Sequence, residues 1–599
     1  MVKSGYSEFV KALPKDSNGQ AIWDVAYTNT GLTTAYDRAF FNVNPDLKNE
    51  DSDEIQNAYI TGLREVYLGA AVANNCVNVN QKTGVMTITG SGLTLPKELS
   101  YGAIIRILKS KYVFRNINFC NRNDADIDEC DLGVYMEDGP EKGIYSTSLS
   151  AIRRLIRPYR IDLSKKAIED IISGLKDEAP VANRTGLKTD EKNLIPVNNG
   201  IFNFETKEFM EHSPEYVFTW KSRVNYVENA FDKHFTRSNG EDWSFMPWLV
   251  DLMNGSKEDA EVVLYMLSFI LRPFVENHRA FFIYSQSVGN SGKGCLAQIM
   301  TSLLGDSAVE SVTMAQVGDK FALTNIPKRA LVLGDDNNYN GYMDASEVFK
   351  TLCTSGNMSI DRKFRDPLNC RPYLSMVEFL NSIPRFADHS DAMFRRVYPI
   401  EMFRSFKEGK TEDKKIKAEY LTDKEVLEYV LYTVLNMPMT EDMPFTEATQ
   451  KSFDDVMELN DPMKKYVADV MDGMDKYYDT YPISCLWSLY NAWYTKNFTD
   501  TKYKLQSVSK FTTALTQALK DSEWDVCPQQ SLTLTDKTVT AYAENGWIAP
   551  TLYEVTEFYH YLNKKYYGVR VSKNNSDVKP AFVTNYKGIV RKKKLEGAA

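Results

Sequence analysis

The sequence predicts a multidomain α/β protein, and three features carry that reading. A chain of 599 residues is too long for one apolar core, which implies three or four domains. A short apolar run, Phe281–Tyr284, leads through a small-residue loop into the helix-like stretch Leu296–Leu304. A second apolar run, Ala330–Leu333, ends in Gly334-Asp335-Asp336. Open α/β sheets gather ligands at the carboxyl ends of their strands, where both of these segments would lie.

Composition narrows the class. Hydrophobic residues make up 43% and charged residues 25%, as in ordinary globular chains. No run of about 18 apolar residues occurs, so no membrane span is expected. The amino-terminal segment has no apolar core of a signal peptide. The eight cysteines are scattered, without a C-x-x-C pair, which disfavours disulfides or structural zinc and fits a reducing cytoplasm. The formal net charge of −9 weighs mildly against a nucleic-acid binder. A local patch can carry such a contact, however: Tyr561–Ala599 holds ten Lys or Arg against two acids. That tail reads either as a solvated segment or as one that touches phosphates.

The elements follow in order. Residues 1–98 form an accessory domain in which Val77–Gln81 and Val85–Thr89 flank Lys82-Thr83-Gly84 as a β-hairpin. Residues 99–235 read as an α/β domain, with helices at Ser148–Arg157 and Ser164–Lys176. Near its end, short strands surround the Asn199-Gly200 turn within Asn193–Phe204, and another turn falls at Thr206-Lys207. Residues 236–420 form the next domain, opening on a buried helix at Lys257–Leu271. Residues 421–599 are mainly helical, with helices at Ile483–Phe498 and Val508–Leu519 and a late alternating run at Gly568–Val571. Helices followed by strand-like pieces suggest a winged-helix module that, with the basic tail, binds duplex DNA.

The candidate nucleotide site lies in 236–420. After Tyr284 come Ser285 and Gln286, then Ser287, Val288, Gly289, Asn290, Ser291, Gly292, Lys293, Gly294 and Cys295. Strand, small-residue loop ending in Gly-Lys, then helix is the context of a phosphate-binding loop: amides converge on phosphate oxygens, and the lysine reaches the β- and γ-phosphates of ATP. Ser287 stands where a Gly is usual, and Gly294 where a Ser or Thr usually meets Mg2+. Of the pair Asp335 and Asp336, one acid would hold Mg2+ through water and the other would polarise the attacking water. A run at Tyr373–Leu380 ends in Asn381, a residue able to orient water near the γ-phosphate and also a common strand terminator. Beyond it stand Arg395 and Arg396, which serve either a structural salt bridge or, as an arginine finger, a neighbouring subunit.

This ordered set resembles the helicase domain of superfamily-3 proteins of the AAA+ class, closest to the primase-helicases of phages, plasmids and poxviruses. The residues that carry the resemblance are Gly292-Lys293, Asp335-Asp336, Asn381 and Phe394-Arg395-Arg396, with Asn193–Phe204 and Leu99–Thr147 similar to the region preceding the helicase. The resemblance implies an AAA+ (superfamily-3) domain over 236–420 that hydrolyses ATP and unwinds DNA in replication of a phage, plasmid or other mobile element. It implies a homo-hexameric ring on single-stranded DNA, with Lys293 and Asp336 acting in cis and Arg395 in trans, and a replication initiator or primase as partner. A hairpin before the Asn381 strand would touch DNA, placing Arg362, Lys363, Phe364 and Arg365 there; three cations around one aromatic suit a strand of nucleic acid. Ser287 and Gly294 depart from the pattern and leave the Mg2+ shell under-specified. The region before the resemblance is short for a polymerase-like primase fold. Two other readings remain: an AAA+ initiator that melts or marks an origin without processive unwinding, and a DNA-binding protein with a degenerate nucleotide site.

Overall fold

The structure, a computed structural model, describes residues 2–23, 28–89, 92–122, 125–237, 239–286, 289–319, 321–337, 343, 345–363, 365–386, 388, 390–406, 413–440, 442–471, 480–497, 504–520, 522–526 and 588–591. Its middle is built on a parallel sheet of five strands in the order Val309–Ser311, Leu331–Asn337, Ser375–Leu380, Ala280–Tyr284 and Val397–Glu401. The strand Ala280–Tyr284 is buried at every position. Parallel sheets covered on both faces select such continuous apolar runs.

Alternate residues then feed two cores, because successive side chains of a strand point to opposite faces. Phe281, Ile283, Leu331, Val377 and Phe379 pack with the helices Lys257–Ile270, Lys293–Leu304 and Lys424–Leu435. On the other face Phe282, Tyr284, Val332, Met376 and Leu380 pack with Phe349, Phe386 and Phe394.

The expected local elements form. Val77–Val79 pairs antiparallel with Met86–Ile88, and Gly84 in the turn takes a φ of 68°. Leu194–Val197 pairs with Gly200–Asn203, and Lys207 turns the chain at a φ of 61°. The helix Lys165–Glu178 begins where Ser164 accepts a hydrogen bond from the Ala167 amide, the N-cap interaction that satisfies a free donor.

Apolar cores run across the expected divisions. One apolar core runs from Phe9 to Ala179, joining the helices Asn29–Val43 and Ser52–Ala73 to Tyr101–Lys111 and Lys165–Glu178 without a seam at residue 98. Ile195, Val197, Phe202, Phe204 and Trp220 share their core with the central sheet, so the short strands of 194–203 cross the division at 235. The helix Lys424–Leu435, beyond residue 420, joins that same core. These strands are too short to bury their apolar faces alone, and a small hairpin needs further layers for stability.

Towards the carboxyl end, helices Ile483–Asn497 and Val508–Ala518 form. With them lies an antiparallel sheet in the order Thr480–Pro482, Gly588–Arg591 and Trp524–Val526. The run Gly568–Val571 and the tail from Lys592 onward lie outside the described residues. Arg591 is engaged within the fold: it pairs with Glu523 at 3.3 Å and lies over the Trp524 ring at 5.0 Å. No described helix is long and apolar enough to cross a membrane.

The buried strand Ala280–Tyr284 offers a test of this packing. Ile283 has no exposed surface, whereas Ile161 is 82% exposed. Ile283→Ala is expected to cost about 2–5 kcal/mol by urea denaturation, and Ile161→Ala about 0.5 kcal/mol or less. Equal losses at the two sites would contradict the placement of that strand.

Candidate nucleotide site and hairpin

The loop between Tyr284 and Lys293 is shaped by backbone conformations that only some residues tolerate. Asn290 has a φ of 55° and Gly292 a φ of 87°. Asn is among the few side chains that enter this left-handed region readily. Gly292 is also required sterically, since a Cβ there would stand 2.4 Å from Cδ1 of Leu252. The loop is tied to the segment after the last strand. Asn290 Nδ2 donates to the Phe406 carbonyl at 2.7 Å, the Phe406 amide donates back to Asn290 at 3.0 Å, and Ser405 Oγ donates to the Gly289 carbonyl at 3.0 Å. Ser287 and Val288 lie outside the described residues.

The helix starts at Lys293 itself, earlier than the sequence reading at Leu296. Lys293 Nζ donates to Ser285 Oγ, to the Leu380 carbonyl and to Asn381 Oδ1, each at 2.8 Å. The lysine is therefore half-buried and held, not simply facing solvent as its place in a loop would imply. Ser285 is buried and also within 3.4 Å of Ser291 Oγ. Its part in fixing the lysine was not legible in the sequence, where it reads only as the first residue after a strand.

The acids lie at the carboxyl end of their strand, which runs from Leu331 through Asp335 and Asp336 to Asn337. Its neighbour is the Ser375–Leu380 strand, which stands between it and the loop strand. Asn381 is thus beside Lys293, and the acids are one strand further out along the same carboxyl edge. Gly334 pairs with Glu378 and Asn337 with Leu380, so the acidic strand holds one residue more than its partner between these pairs. A bulge of this kind re-aims side chains, and here it falls on the two acids. Asp335 is exposed.

Arg395 and Arg396 are not brought to this edge. They precede Val397, and the Ala280 amide donates to the Arg396 carbonyl, which places both arginines at the amino end of the sheet. A five-residue strand, about 16 Å long, separates them from the loop end of the sheet. Arg395 is exposed, with Nε donating to the Asp391 carbonyl at 3.3 Å. Arg396 is half-buried and donates to the Ala392 carbonyl. Neither can serve the loop of its own chain from there.

Beside the loop opens a cavity of about 600 Å³, lined by Trp248, Leu252, Asn290, Cys295, Phe406 and Lys417 among others. This is the size of a small-molecule site, and its mix of aromatic, aliphatic and charged groups suits a nucleotide. The lining comes from four separated segments, which is why the sequence did not reveal it. The described side chains at the start of the helix offer no ligand for Mg2+. Position 294 offers no side-chain oxygen, and burial pushes the Cys295 thiol up, away from the thiolate form. A soft thiol is in any case a poor partner for a hard cation. Among the described residues no group of three or more His, Cys, Asp or Glu is placed to hold a metal.

Between the acidic strand and the Asn381 strand stands an antiparallel hairpin, Met358–Arg362 against Arg365–Cys370. Ile360, Leu368 and Cys370 are buried in the core beneath it. Arg362 Nε donates to the Asp366 carbonyl at 3.0 Å, which stiffens the tip. Lys363 is exposed, with Nζ 5.8 Å from the centre of the Phe321 ring. Phe364 lies outside the described residues, and Arg365 opens the second strand.

Comparison with known proteins adds two family matches. Residues 128–251 match the family described as D5 N terminal like, and residues 285–396 match a family of unknown function (DUF5906). The second spans the loop, the acidic strand, the hairpin and the arginine pair. Among solved structures, the A form apo structure of the NrS-1 C terminal region is 13% identical, with a TM-score of 0.40, covering 82% of this chain and 99% of that one. An apo structure of the NrS-1 C terminal region (305–718) is 14% identical, with a TM-score of 0.37, covering 70% and 89%. Scores of this size do not establish a common fold.

The loop conformation is open to direct test. Gly292→Ala forces a side chain into a left-handed backbone and against Leu252. A loss of about 1–3 kcal/mol is expected from chemical denaturation. Unchanged stability would contradict the loop geometry described above.

Proposed function

We propose that the loop around Lys293 is an ATP site, that residues 236–420 are an AAA+ module of the superfamily-3 type, and that the chain is an ATP-driven DNA helicase. In this reading it works as a hexameric ring in the cytoplasm, in replication of a phage, plasmid or other mobile element. The observation that supports it best is the meeting of Lys293 with Ser285, the Leu380 carbonyl and Asn381 at the carboxyl edge of a parallel sheet, beside a cavity of nucleotide size. The match of residues 128–251 to the D5 N terminal like family supports the same assignment.

The chemistry then follows from the chain's own groups. Loop amides and the first turn of Lys293–Leu304 receive the phosphates. Lys293 exchanges its oxygen partners for the β- and γ-phosphates, which frees the Asn381 side chain to orient water. Asp335 and Asp336 polarise that water from the neighbouring strand. Arg395, at the far edge of its own sheet, acts on the site of an adjacent subunit and stabilises charge as the bond to the γ-phosphate breaks.

Paired variants test the site and its assembly. Lys293→Ala is expected to abolish ATP hydrolysis. Arg395→Ala is expected to bind ATP but hydrolyse it on the order of 10³-fold more slowly. Mixing the two proteins should restore part of the activity, because some interfaces then join an intact loop to an intact arginine. Undiminished turnover in Lys293→Ala removes the nucleotide from this loop, and a mixture that recovers nothing removes Arg395 from its role in trans.

The hairpin is the proposed DNA contact. From Ile360 to Arg371 it carries four cations and two acids on a chain of net charge −9. Such contacts position a phosphate backbone without reading sequence. Replacing Lys363 and Arg365 together with Ala should weaken single-stranded DNA binding, most at low salt, flatten its dependence on salt, and stop unwinding of a forked duplex. Wild-type affinity and unwinding in that variant, at low and moderate salt, would move the contact elsewhere.

A further inference from the structure

The glycine at 294 breaks the phosphate-loop pattern, and the structure fills the place it leaves. A Ser or Thr at this position ordinarily carries the hydroxyl that meets Mg2+. A Cβ built on Gly294 would stand 2.9 Å from Nζ of Lys417 and 3.8 Å from its Cε. The ammonium of Lys417 therefore occupies about the volume that a hydroxyl at 294 would take. Lys417 belongs to the short helix Lys414–Ala418, which follows the last strand of the sheet, and it lines the cavity beside the loop.

Nothing within the described fold accounts for a cation at this spot. Among the described residues Lys417 has no ion pair and no hydrogen bond. It stands over Gly294, the residue after a second lysine, Lys293, and so against the first turn of the helix Lys293–Leu304. That end of a helix carries partial positive charge, which disfavours a neighbouring cation. Asp413, which lines the same cavity, is already bound by Arg237 at 3.1 Å. An anion in the cavity would turn each of these repulsions into an attraction.

We propose that Lys417 is a second phosphate-binding cation, standing in for the missing loop hydroxyl and for the divalent charge that hydroxyl would hold. A triphosphate would then be gripped by two ammonium groups, Lys293 from the loop and Lys417 from the segment behind it, and its binding would not depend on Mg2+. This rests on the reading of the loop as a nucleotide site.

Binding of a fluorescent N-methylanthraniloyl-ATP to the full chain, followed by anisotropy in EDTA and in Mg2+, tests the proposal. The wild-type protein is expected to bind nearly as tightly in EDTA as in Mg2+. Lys417→Ala should lose about ten- to a hundredfold in EDTA, the worth of one charge-assisted hydrogen bond. Its side chain is exposed, so the thermal transition should not move. In the double variant Gly294→Thr with Lys417→Ala, the hydroxyl has room, and affinity should return in Mg2+ but not in EDTA. Wild-type affinity in EDTA for Lys417→Ala overturns the role of this lysine, as does wild-type binding that collapses when Mg2+ is removed. No binding by the wild-type protein in either buffer overturns the nucleotide site itself, and Lys417 with it.

Discussion

The ammonium of Lys293, bound by three oxygens from two neighbouring strand ends, is the interaction on which the centre of this protein turns. A half-buried cation needs oxygen partners to offset its lost hydration. Ser285 comes from the end of its own strand, and Leu380 and Asn381 from the end of the next. That grouping exists only because the Ser375–Leu380 strand sits between the loop strand and the acidic strand.

The same edge of the sheet is closed from behind by segments far away in the chain. Phe406 and Ser405 fasten the loop, Leu252 leaves no room for a Cβ at Gly292, and Lys414–Ala418 walls the cavity. Each of these follows or precedes a strand of the sheet, so the loop's shape is set by the fold around it more than by its own sequence. Arg404 adds a surface pair with Asp251 at 3.0 Å, an exposed interaction worth about 1 kcal/mol or less. The fastening therefore comes chiefly from hydrogen bonds to backbone carbonyls and steric fit.

What was legible in the sequence were features with local signatures. Phe281–Tyr284 and Ala330–Leu333 announce buried strands by composition, Gly292-Lys293 announces the loop, and Lys82-Thr83-Gly84 and Asn199-Gly200 announce turns. The order of strands has no local signature, so the position of Asn381 next to Lys293, with the acids one strand away, emerged only from the fold. The bulge at Asp335–Asp336 is set by pairing with a neighbour and is likewise silent in the sequence. Lys417 reads as one of several lysines on a polar helix until the chain folds it against Gly294, 123 positions earlier in the chain. Divisions at 98, 235 and 420 followed changes in pattern, but apolar faces on either side of each meet in shared cores.

The hairpin shows how such sharing constrains motion. Ile360 and Leu368 are packed with Val332 of the acidic strand and Leu380 of the asparagine strand, so its root belongs to the core of the sheet. From the other side the amino-terminal region grips it: Asn121 Nδ2 donates to the Arg371 carbonyl at 2.5 Å, the Arg371 amide donates to the Cys120 carbonyl at 3.2 Å, and Lys328 pairs with Asp131 nearby. A shift of the strands at the lysine therefore cannot swing the hairpin as a free arm. It must carry residues 119–131 along or break their hydrogen bonds. Hydrogen bonds are costly to leave unmade, so movement of the two regions together is favoured over their separation. A displacement at the sheet edge thus reaches residues 120 and 121 and the exposed Lys363 together.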